Sequence, residues 1–276
     1  MCSIQKQFIF FLLIFPLSFS RTLAQSDTAH LFRSFDNTTI YYEVHGKGFP
    51  IVLIHGFMSD GQSWKRTVLY NQLLQEGFQV IVPDLRGNGR SDKPHTTDAY
   101  ANDAEAKDVM LLIKSLGLKR YDVVGYSRGA IITARLLVLD KRVQKAVMGG
   151  MGADFTNPQW PRRIAFYHAL IADTVPELHN MVKRVQDAGL DQVALAYQQK
   201  EQPSTPKEAL QKVTKPVLVI CGKEDNDNGS AQELVQLFPK GHYAAVPGNH
   251  GAAVRTKEFG ASVTAFLKNN KELRKP

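Results

Sequence analysis

The sequence predicts an α/β doubly wound fold: a mostly parallel sheet flanked by helices, with a helical cap inserted after the sixth strand. Two observations support this prediction. Short, β-branched apolar runs alternate with longer helical patterns, and one long stretch in the second half has helical patterns and prolines but no convincing strand. Continuous apolar runs are typical of strands buried on both faces of a parallel sheet, and their alternation with helices is typical of the α/β class.

The predicted strands begin with a hairpin. The runs L-F-R-S-F-D and T-T-I-Y-Y-E-V flank a turn at Asp36 and Asn37, which favours two antiparallel strands. Six further strands are predicted, at residues 50–54, 78–82, 121–124, 145–148, 216–220 and 242–246.

Helical patterns separate these strands. The spacing of apolar residues predicts helices over residues 98–116, where Gly117 is a good stop signal, over 130–139, and over 257–269. The sequence thus divides into three predicted parts. They are a signal peptide at 1–24, an α/β core at 25–150 and 210–276, and a helical cap at 151–209.

The N-terminus resembles a secretory signal peptide. Lys6 precedes the apolar run of residues 8–19, and small residues follow as far as Ala24, which predicts cleavage after Ala24 and a secreted or periplasmic protein. A membrane anchor is the alternative. However, the run has about 12 residues where a span needs about 20, and Pro16 interrupts it. We therefore expect no stable membrane anchor once the signal is removed.

Charge and cysteine content narrow the function classes. The whole chain has a formal charge of +8, and removing Lys6 and Arg21 with the signal leaves +6. Because the basic residues are scattered, apart from a run at 268–276, we expect no nucleic-acid partner.

Cys221 is the single cysteine after Ala24, so no intramolecular disulfide is expected, and its apolar strand predicts a buried thiol. No zinc-binding pattern is present, and the D-N-D-N-G stretch lacks the acidic residue that would end a calcium loop.

Ser127 is the predicted nucleophile. It lies in G-Y-S-R-G, directly after the strand Y-D-V-V and before a helical run, which is the strand–turn–helix setting of a nucleophile elbow. Gly125 and Gly129 fit this setting, because larger side chains two residues either side of the serine would collide in so sharp a turn. The helix N-terminus behind the serine favours developing negative charge.

A base and an acid are predicted after later strands. Asp225 follows the strand P-V-L-V-I-C-G, and His250 follows H-Y-A-A-V-P-G-N, so that both are expected at the carboxyl edge of the sheet. Alternatives exist for both roles. His242 begins its strand and is expected at the opposite edge. For the role of the acid, the alternatives to Asp225 are Asp154, Glu224 and Asp227. Asp225 is favoured over its neighbours by its G-x-x-D spacing from Gly222, and over Asp154, which follows the preceding strand.

An oxyanion hole is expected from backbone N–H groups. His55 and Gly56 follow the strand I-V-L-I, and the N–H groups of Phe57 and Arg128 are the expected donors. His55 is interpreted as structural. Two roles are open for the Arg128 side chain: contact with an anionic substrate, or packing within the protein. Packing is favoured.

Five motifs together resemble those of the α/β-hydrolase superfamily, in its capped serine hydrolase branch. In order they are H-G-F (55–57), P-D-L-R-G-N-G-R-S-D-K-P (83–94), G-Y-S-R-G (125–129), G-K-E-D (222–225) and P-G-N-H (247–250). The resemblance covers residues 30–270 and implies an eight-stranded sheet, a helical cap, no cofactor and a triad of Ser127, Asp225 and His250. Two positions depart from the pattern: Asn88 stands where relatives usually have histidine, and Arg128 where methionine, leucine or glutamine is commoner.

The resemblance leaves the reaction open. The favoured function is hydrolysis of a small to medium carboxylic ester or lactone. The alternatives are carbon–carbon bond hydrolysis, lyase or perhydrolase chemistry on the same triad, and ligand binding with slow or no turnover. Ser127 argues against haloalkane dehalogenases and epoxide hydrolases, which use an aspartate nucleophile.

Four aromatic residues of the cap either line a pocket or pack the cap onto the core, and packing is favoured. They are Phe155, Trp160, Phe166 and Tyr167. The sequence does not indicate an oligomeric state.

Overall fold

The computed structural model describes residues 28–269, and these form one eight-stranded sheet. The strands are β1 (Thr28–Arg33), β2 (Thr39–His45), β3 (Pro50–Ile54), β4 (Gln79–Pro83), β5 (Tyr121–Tyr126), β6 (Val143–Gly149), β7 (Val217–Gly222) and β8 (Gly241–Val246). Their order in the sheet is β1-β2-β4-β3-β5-β6-β7-β8. β2 is antiparallel to β1 and to β4, and every other pair is parallel, so the predicted mostly parallel sheet is confirmed.

Eleven α-helices occur in the described part of the chain, with three short 3₁₀ turns. They are α1 (Gln62–Lys65), α2 (Val68–Gln75), α3 (Ala104–Ser115), α4 (Arg128–Leu139), α5 (Pro161–Ala172), α6 (His179–Asp187), α7 (Gln192–Lys200), α8 (Lys207–Leu210), α9 (Ala231–Gln236), α10 (His250–Ala253) and α11 (Lys257–Lys268).

The helices cover both faces of the sheet, as a doubly wound fold requires. One hydrophobic cluster joins the sheet to α3, α4 and α9, and a second joins its other face to α2 and α11. Every residue of β3, β5 and β7 is buried, which agrees with their continuous apolar sequences. β8 is an edge strand and is more exposed.

One predicted helix begins later than its apolar pattern indicates. The apolar spacing predicts a helix over residues 98–116, but α3 begins at Ala104. Asn102 and Asp103 both have positive φ, of 54° and 61°, and this left-handed backbone cannot continue an α-helix. The Asp103 carboxylate accepts hydrogen bonds from Arg135 of α4, which ties the start of α3 to the neighbouring helix.

Between β6 and β7 the chain forms helices α5 to α8 and no strand. Helices α5, α6 and α7 share a small hydrophobic cluster of their own, and Phe57 and Met58 of the core pack against it. The division of the chain into core and cap at residues 151 and 209 stays a prediction.

The predicted signal peptide at residues 1–24 lies outside the described residues. Within residues 28–269, no helix combines the length and apolarity needed to cross a bilayer.

Candidate active site

Ser127 occupies a strained turn between β5 and α4. Its backbone has φ 54° and ψ −122°, a conformation that non-glycine residues rarely adopt. A Cβ atom on Gly125 would lie 2.1 Å from the carbonyl oxygen of Gly129, and one on Gly129 would lie 2.2 Å from that of Ile54. The backbones therefore approach too closely for any side chain, which is the reason predicted for both glycines.

A chain of hydrogen bonds joins Ser127 to His250 and Asp225. His250 begins α10, after the end of β8, and Asp225 follows the end of β7. The Nδ1 atom of His250 lies 2.9 Å from Oδ2 of Asp225, and its Nε2 atom lies 2.9 Å from Oγ of Ser127. Asp225 accepts a hydrogen bond from the Nδ1–H group, so Nε2 is the nitrogen free to accept the serine proton. The side chain of Asp225 is buried, with 3% exposed, whereas about a quarter of the His250 side chain (26%) is exposed and can meet a substrate.

None of the alternative residues makes this contact with the serine–histidine pair. Asp154 is exposed and lies against Gly229. His242 lies at the opposite end of β8, with its ring 5.5 Å from that of Phe266. Asp227 lies near His250 but pairs with Arg162 at 3.6 Å. The structure thus brings together the three residues that the sequence favoured, and leaves Asp154 and His242 apart from them.

The loop after β3 approaches the nucleophile. A Cβ atom on Gly56 would lie 3.2 Å from Cβ of Ser127 and 3.3 Å from the carbonyl oxygen of Tyr126, a tight contact that glycine avoids. The buried ring of His55 fixes the loop: its Nε2 accepts a hydrogen bond from the N–H of Leu85 at 3.0 Å, and its Nδ1 lies 2.8 Å from the carbonyl oxygen of Gly56. Burial lowers the pKa of His55, which favours the neutral ring that this bonding requires.

The expected oxyanion donors border this loop and the elbow. Arg128 is the first residue of α4, so its N–H has no acceptor within the helix. In residues 28–269, neither this N–H nor that of Phe57 donates to another protein group. Both are therefore available to a developing oxyanion.

The Arg128 side chain is packed within the protein. It is 4% exposed and donates two hydrogen bonds to the buried carboxylate of Glu105 on α3, and a third to the carbonyl oxygen of Gln198 on α7. A guanidinium already paired in this way is not the anion-binding group that the sequence left open. Glu105 itself was missed, because nothing in its local sequence indicates a partner.

Tyr126 is a second residue that the sequence did not single out. Its hydroxyl donates to the backbone carbonyl of His250 at 2.6 Å, and its ring centroid lies 5.4 Å from that of His250. Burial raises the pKa of Tyr126, so the hydroxyl keeps its proton and remains a donor. Tyr126 thus holds the histidine loop against the elbow.

Asn88, the departure in the P-D-L-R-G motif, is buried and contacts the cap region. Its side-chain oxygen accepts a hydrogen bond from the amide of Gln198 on α7, which also donates to the carbonyl oxygen of Arg86. This contact agrees with a structural role for the loop.

Two pockets meet at Ser127 and His250. The first, on the side of helices α5 and α7, has an empty volume of about 360 Å³ and is lined by Phe57, Ser127, Arg128, Ile131, Met151, Trp160, Arg162, Arg163, Phe166, Gln199, Gln202, Asn228 and His250. The second, on the side of α1 and α10, has an empty volume of about 740 Å³ and is lined by His55, Gly56, Phe57, Ser59, Ser63, Trp64, Thr67, Tyr126, Ser127, His250, Gly251, Val254 and Arg255.

The four aromatic residues of the cap divide between the two predicted roles. Trp160 and Phe166 line the first pocket, and the Phe166 ring stacks on that of Phe57 at 5.9 Å. Phe155 is fully buried in the core, and Tyr167 packs in the small cluster of the cap helices. Trp160 and Phe166 thus do both: each packs in a hydrophobic cluster, as the favoured interpretation has it, and each also lines the first pocket.

One group of potential metal ligands occurs in the described part of the chain: Asp225, Asp227 and His250, whose ligand atoms lie within 4.8 Å of one another. Both ring nitrogens of His250 already bond to Asp225 and Ser127. A metal ion at this position would have to break that chain, so the donor set fits a triad better than a metal site.

Comparison with known proteins agrees with the fold. Residues 50–180 match the family model described as the alpha/beta hydrolase fold. A non-heme haloperoxidase of Rhodococcus erythropolis is 38% identical over 120 residues, which cover 42% of this chain and 41% of that protein. The chain spans 39 to 41% of the length of the first curated relatives that it matches.

Solved structures match over a longer range. A bromoperoxidase from Bacillus anthracis is 26% identical with a TM-score of 0.73, and the match covers 87% of this chain and all of that one (100%). An esterase from Exiguobacterium antarcticum, at 22% identity, has the same fold with a TM-score of 0.74 over 87% of this chain and 100% of the esterase. Together with the motifs and the topology, these matches show that the chain belongs to the α/β-hydrolase superfamily.

Proposed function

We propose that the protein is a serine hydrolase that cleaves a small to medium carboxylic ester or lactone through an acyl-enzyme intermediate. The observation that carries the proposal is the hydrogen-bonded chain Ser127–His250–Asp225 at the meeting point of two pockets. A nucleophile, an oriented base and two free backbone donors at one point are what acyl transfer needs.

The proposed reaction has two halves. His250 takes the proton of Ser127 as the serine oxygen attacks the carbonyl carbon, and the N–H groups of Phe57 and Arg128 bind the oxyanion. His250 then protonates the leaving alcohol, and in the second half it activates the water that releases the acid. Asp225 keeps the Nδ1 proton in place and stabilises the charged imidazolium.

The size of the pockets supports a small to medium substrate. Without the open solvent that the empty volumes include, the two cavities measure about 50 and 250 Å³, below the roughly 300–1,000 Å³ of sites for drug-sized ligands. With one pocket on each side of the nucleophile, the acyl and the alcohol parts of an ester can occupy different pockets.

The test is hydrolysis of a 4-nitrophenyl ester series, acetyl to dodecanoyl, by the chain starting at Gln25. Ser127→Ala is the control, with circular dichroism to verify its fold. Multiple turnovers that vanish in the variant would support the proposal, and the optimum of the series would measure the pocket. Absence of turnover with both proteins folded would contradict it. Stoichiometric labelling of Ser127 without turnover would favour a ligand-binding protein.

A second candidate is perhydrolase chemistry, favoured by the names of the relatives, which include a non-heme haloperoxidase and a bromoperoxidase. In this reaction hydrogen peroxide replaces water in the second half, so that the acyl group leaves Ser127 as a peracid. Halide oxidation by the peracid would follow in solution. Bromination of monochlorodimedone that requires hydrogen peroxide, acetate and Ser127 together would support this candidate.

We also propose that the protein is exported, on the basis of the signal-like sequence up to Ala24. N-terminal sequencing of the protein recovered from outside the cytoplasm should begin at Gln25. Recovery of the intact N-terminus in the cytoplasm would contradict this proposal.

A further inference from the structure

The first pocket is lined by several basic side chains. Three arginines line it, namely Arg128, Arg162 and Arg163, and no acidic residue does. From the contacts of these three side chains, we propose that the substrate carries a carboxylate and that Arg162 recognises it. This inference rests on the proposed ester or lactone hydrolysis and names its substrate class.

Two of the three arginines are already occupied. Arg128 is neutralised by the buried carboxylate of Glu105. Arg163 donates to three backbone carbonyl oxygens, those of Gln199, Lys200 and Pro158, at 2.7 to 3.0 Å. Arg163 thus ties the start of α5 to the end of α7, and it has few donors left for a ligand.

Arg162 differs from both. Its side chain is 39% exposed, and its one ionic partner, Asp227, is 50% exposed and 3.6 Å away. This separation is too long for a good hydrogen bond. Within residues 28–269 the guanidinium makes no other ion pair or hydrogen bond, and it lies over the Phe166 ring with 4.8 Å from Cζ to the ring centroid.

The contact with the face of Phe166 supports the guanidinium in the pocket. A guanidinium held over an aromatic ring in this way keeps its N–H donors available, and its planar group can bind a carboxylate at two points. The side chain therefore combines an unoccupied set of donors with a supported position in the pocket that holds Ser127 and His250.

The remaining lining residues indicate the rest of the substrate. Ile131, Met151 and Trp160 provide apolar walls, while the amide side chains of Gln199 and Gln202 add neutral polar groups. An aliphatic or small aromatic chain that ends in a carboxylate, with the ester or lactone carbonyl at Ser127, matches this arrangement.

The experiment compares esters that are matched in size and differ in charge. In the first pair, mono-(4-nitrophenyl) glutarate carries a carboxylate in its acyl part, and 4-nitrophenyl pentanoate is its neutral partner. In the second pair, 4-carboxybutyl butanoate carries a carboxylate in its alcohol part, and pentyl butanoate is its neutral partner. Hydrolysis of the second pair is measured by the release of acid. We expect the anionic member of one pair to have a kcat/KM at least about tenfold higher, as is typical of hydrogen bonds to charged groups, and the preference to weaken as salt is raised.

Substitutions assign the preference to one residue. Arg162→Gln should bring the kcat/KM of the anionic ester close to that of its neutral partner, and Arg162→Lys should keep part of the difference. Arg255→Gln is the matched control, because Arg255 is an exposed arginine of the second pocket. Equal rates on both members of both pairs, or a preference that survives Arg162→Gln and is lost in Arg255→Gln, would overturn the inference and leave the proposed hydrolysis intact.

Failure of the proposed function would look different. If no ester is turned over, calorimetry with glutarate and with pentanoate still tests the recognition. Binding of glutarate alone, lost in Arg162→Gln, supports carboxylate recognition by Arg162, and absence of glutarate binding overturns it.

Discussion

Arg128 and Glu105 form a two-point ion pair in the interior, between the first residue of the helix behind the nucleophile and α3. Their side chains are 4% and 3% exposed. The same guanidinium donates to the carbonyl oxygen of Gln198 on α7 at 3.2 Å. One residue thus connects the nucleophile elbow, the core and a helix of the cap region.

Removing one member of this pair should be costly. Glu105→Ala leaves a buried, uncompensated guanidinium, and we expect it to lower the free energy of unfolding by about 3–5 kcal/mol. The double variant Glu105→Leu/Arg128→Met replaces both charges with apolar groups and should recover most of that loss. Urea unfolding of both variants provides the measurement. A single variant that loses less than about 1 kcal/mol would contradict a buried, dry pair.

The Arg128–Glu105 pair shows why some residues of the site could be predicted from the sequence and others could not. Ser127 and His250 could be predicted because each lies in a short motif at the end of an apolar strand, and parallel strands end at one edge of the sheet. Glu105 could not, because its partner is set by how two helices pack. For the same reason the sequence does not show that Arg128 is buried by this packing, whereas Arg162 is exposed.

The choice of Asp225 over Asp154 gives a matched pair of variants. Asp225→Asn should keep the fold but favour the wrong histidine tautomer, and we expect kcat to fall by about 10⁴. Asp154→Asn should leave kcat unchanged, because Asp154 is exposed and has no contact with His250. Steady-state kinetics on one 4-nitrophenyl ester compare the two. A large loss in Asp154→Asn with a small one in Asp225→Asn would reverse the assignment.

Phe166 and Tyr167 are adjacent on α5, but only Phe166 lines the first pocket. Phe166→Ala should enlarge that pocket and remove apolar contact with a bound neutral ester, so kcat/KM should fall by about tenfold, chiefly through KM. Tyr167→Ala removes a similar ring from the cap cluster and should change stability more than KM. The ester series tests both variants, and equal KM values for them would show that Phe166 does not contact the substrate.

Glu43, buried in β2, carries a pH-dependent part of the stability. Burial alone would raise its pKa, but hydrogen bonds from Lys65, Tyr41, His45 and Gln62 outweigh burial and lower the pKa to about 2, from an ordinary value of 4.5. In acid, the unfolded chain therefore takes up a proton at Glu43 that the folded protein still excludes.

Stability should consequently fall as the pH is lowered from about 5 towards 2, and Glu43 should contribute at most about 3 kcal/mol to that fall. Glu43→Gln cannot be protonated, so its free energy of unfolding should be lower than that of the wild type near pH 7, and the difference should shrink as the pH decreases. Urea unfolding at pH 7, 5, 4 and 3 measures the difference. A gap between the two proteins that stays constant down to pH 3 would mean that the Glu43 carboxylate is not held ionised by these four partners.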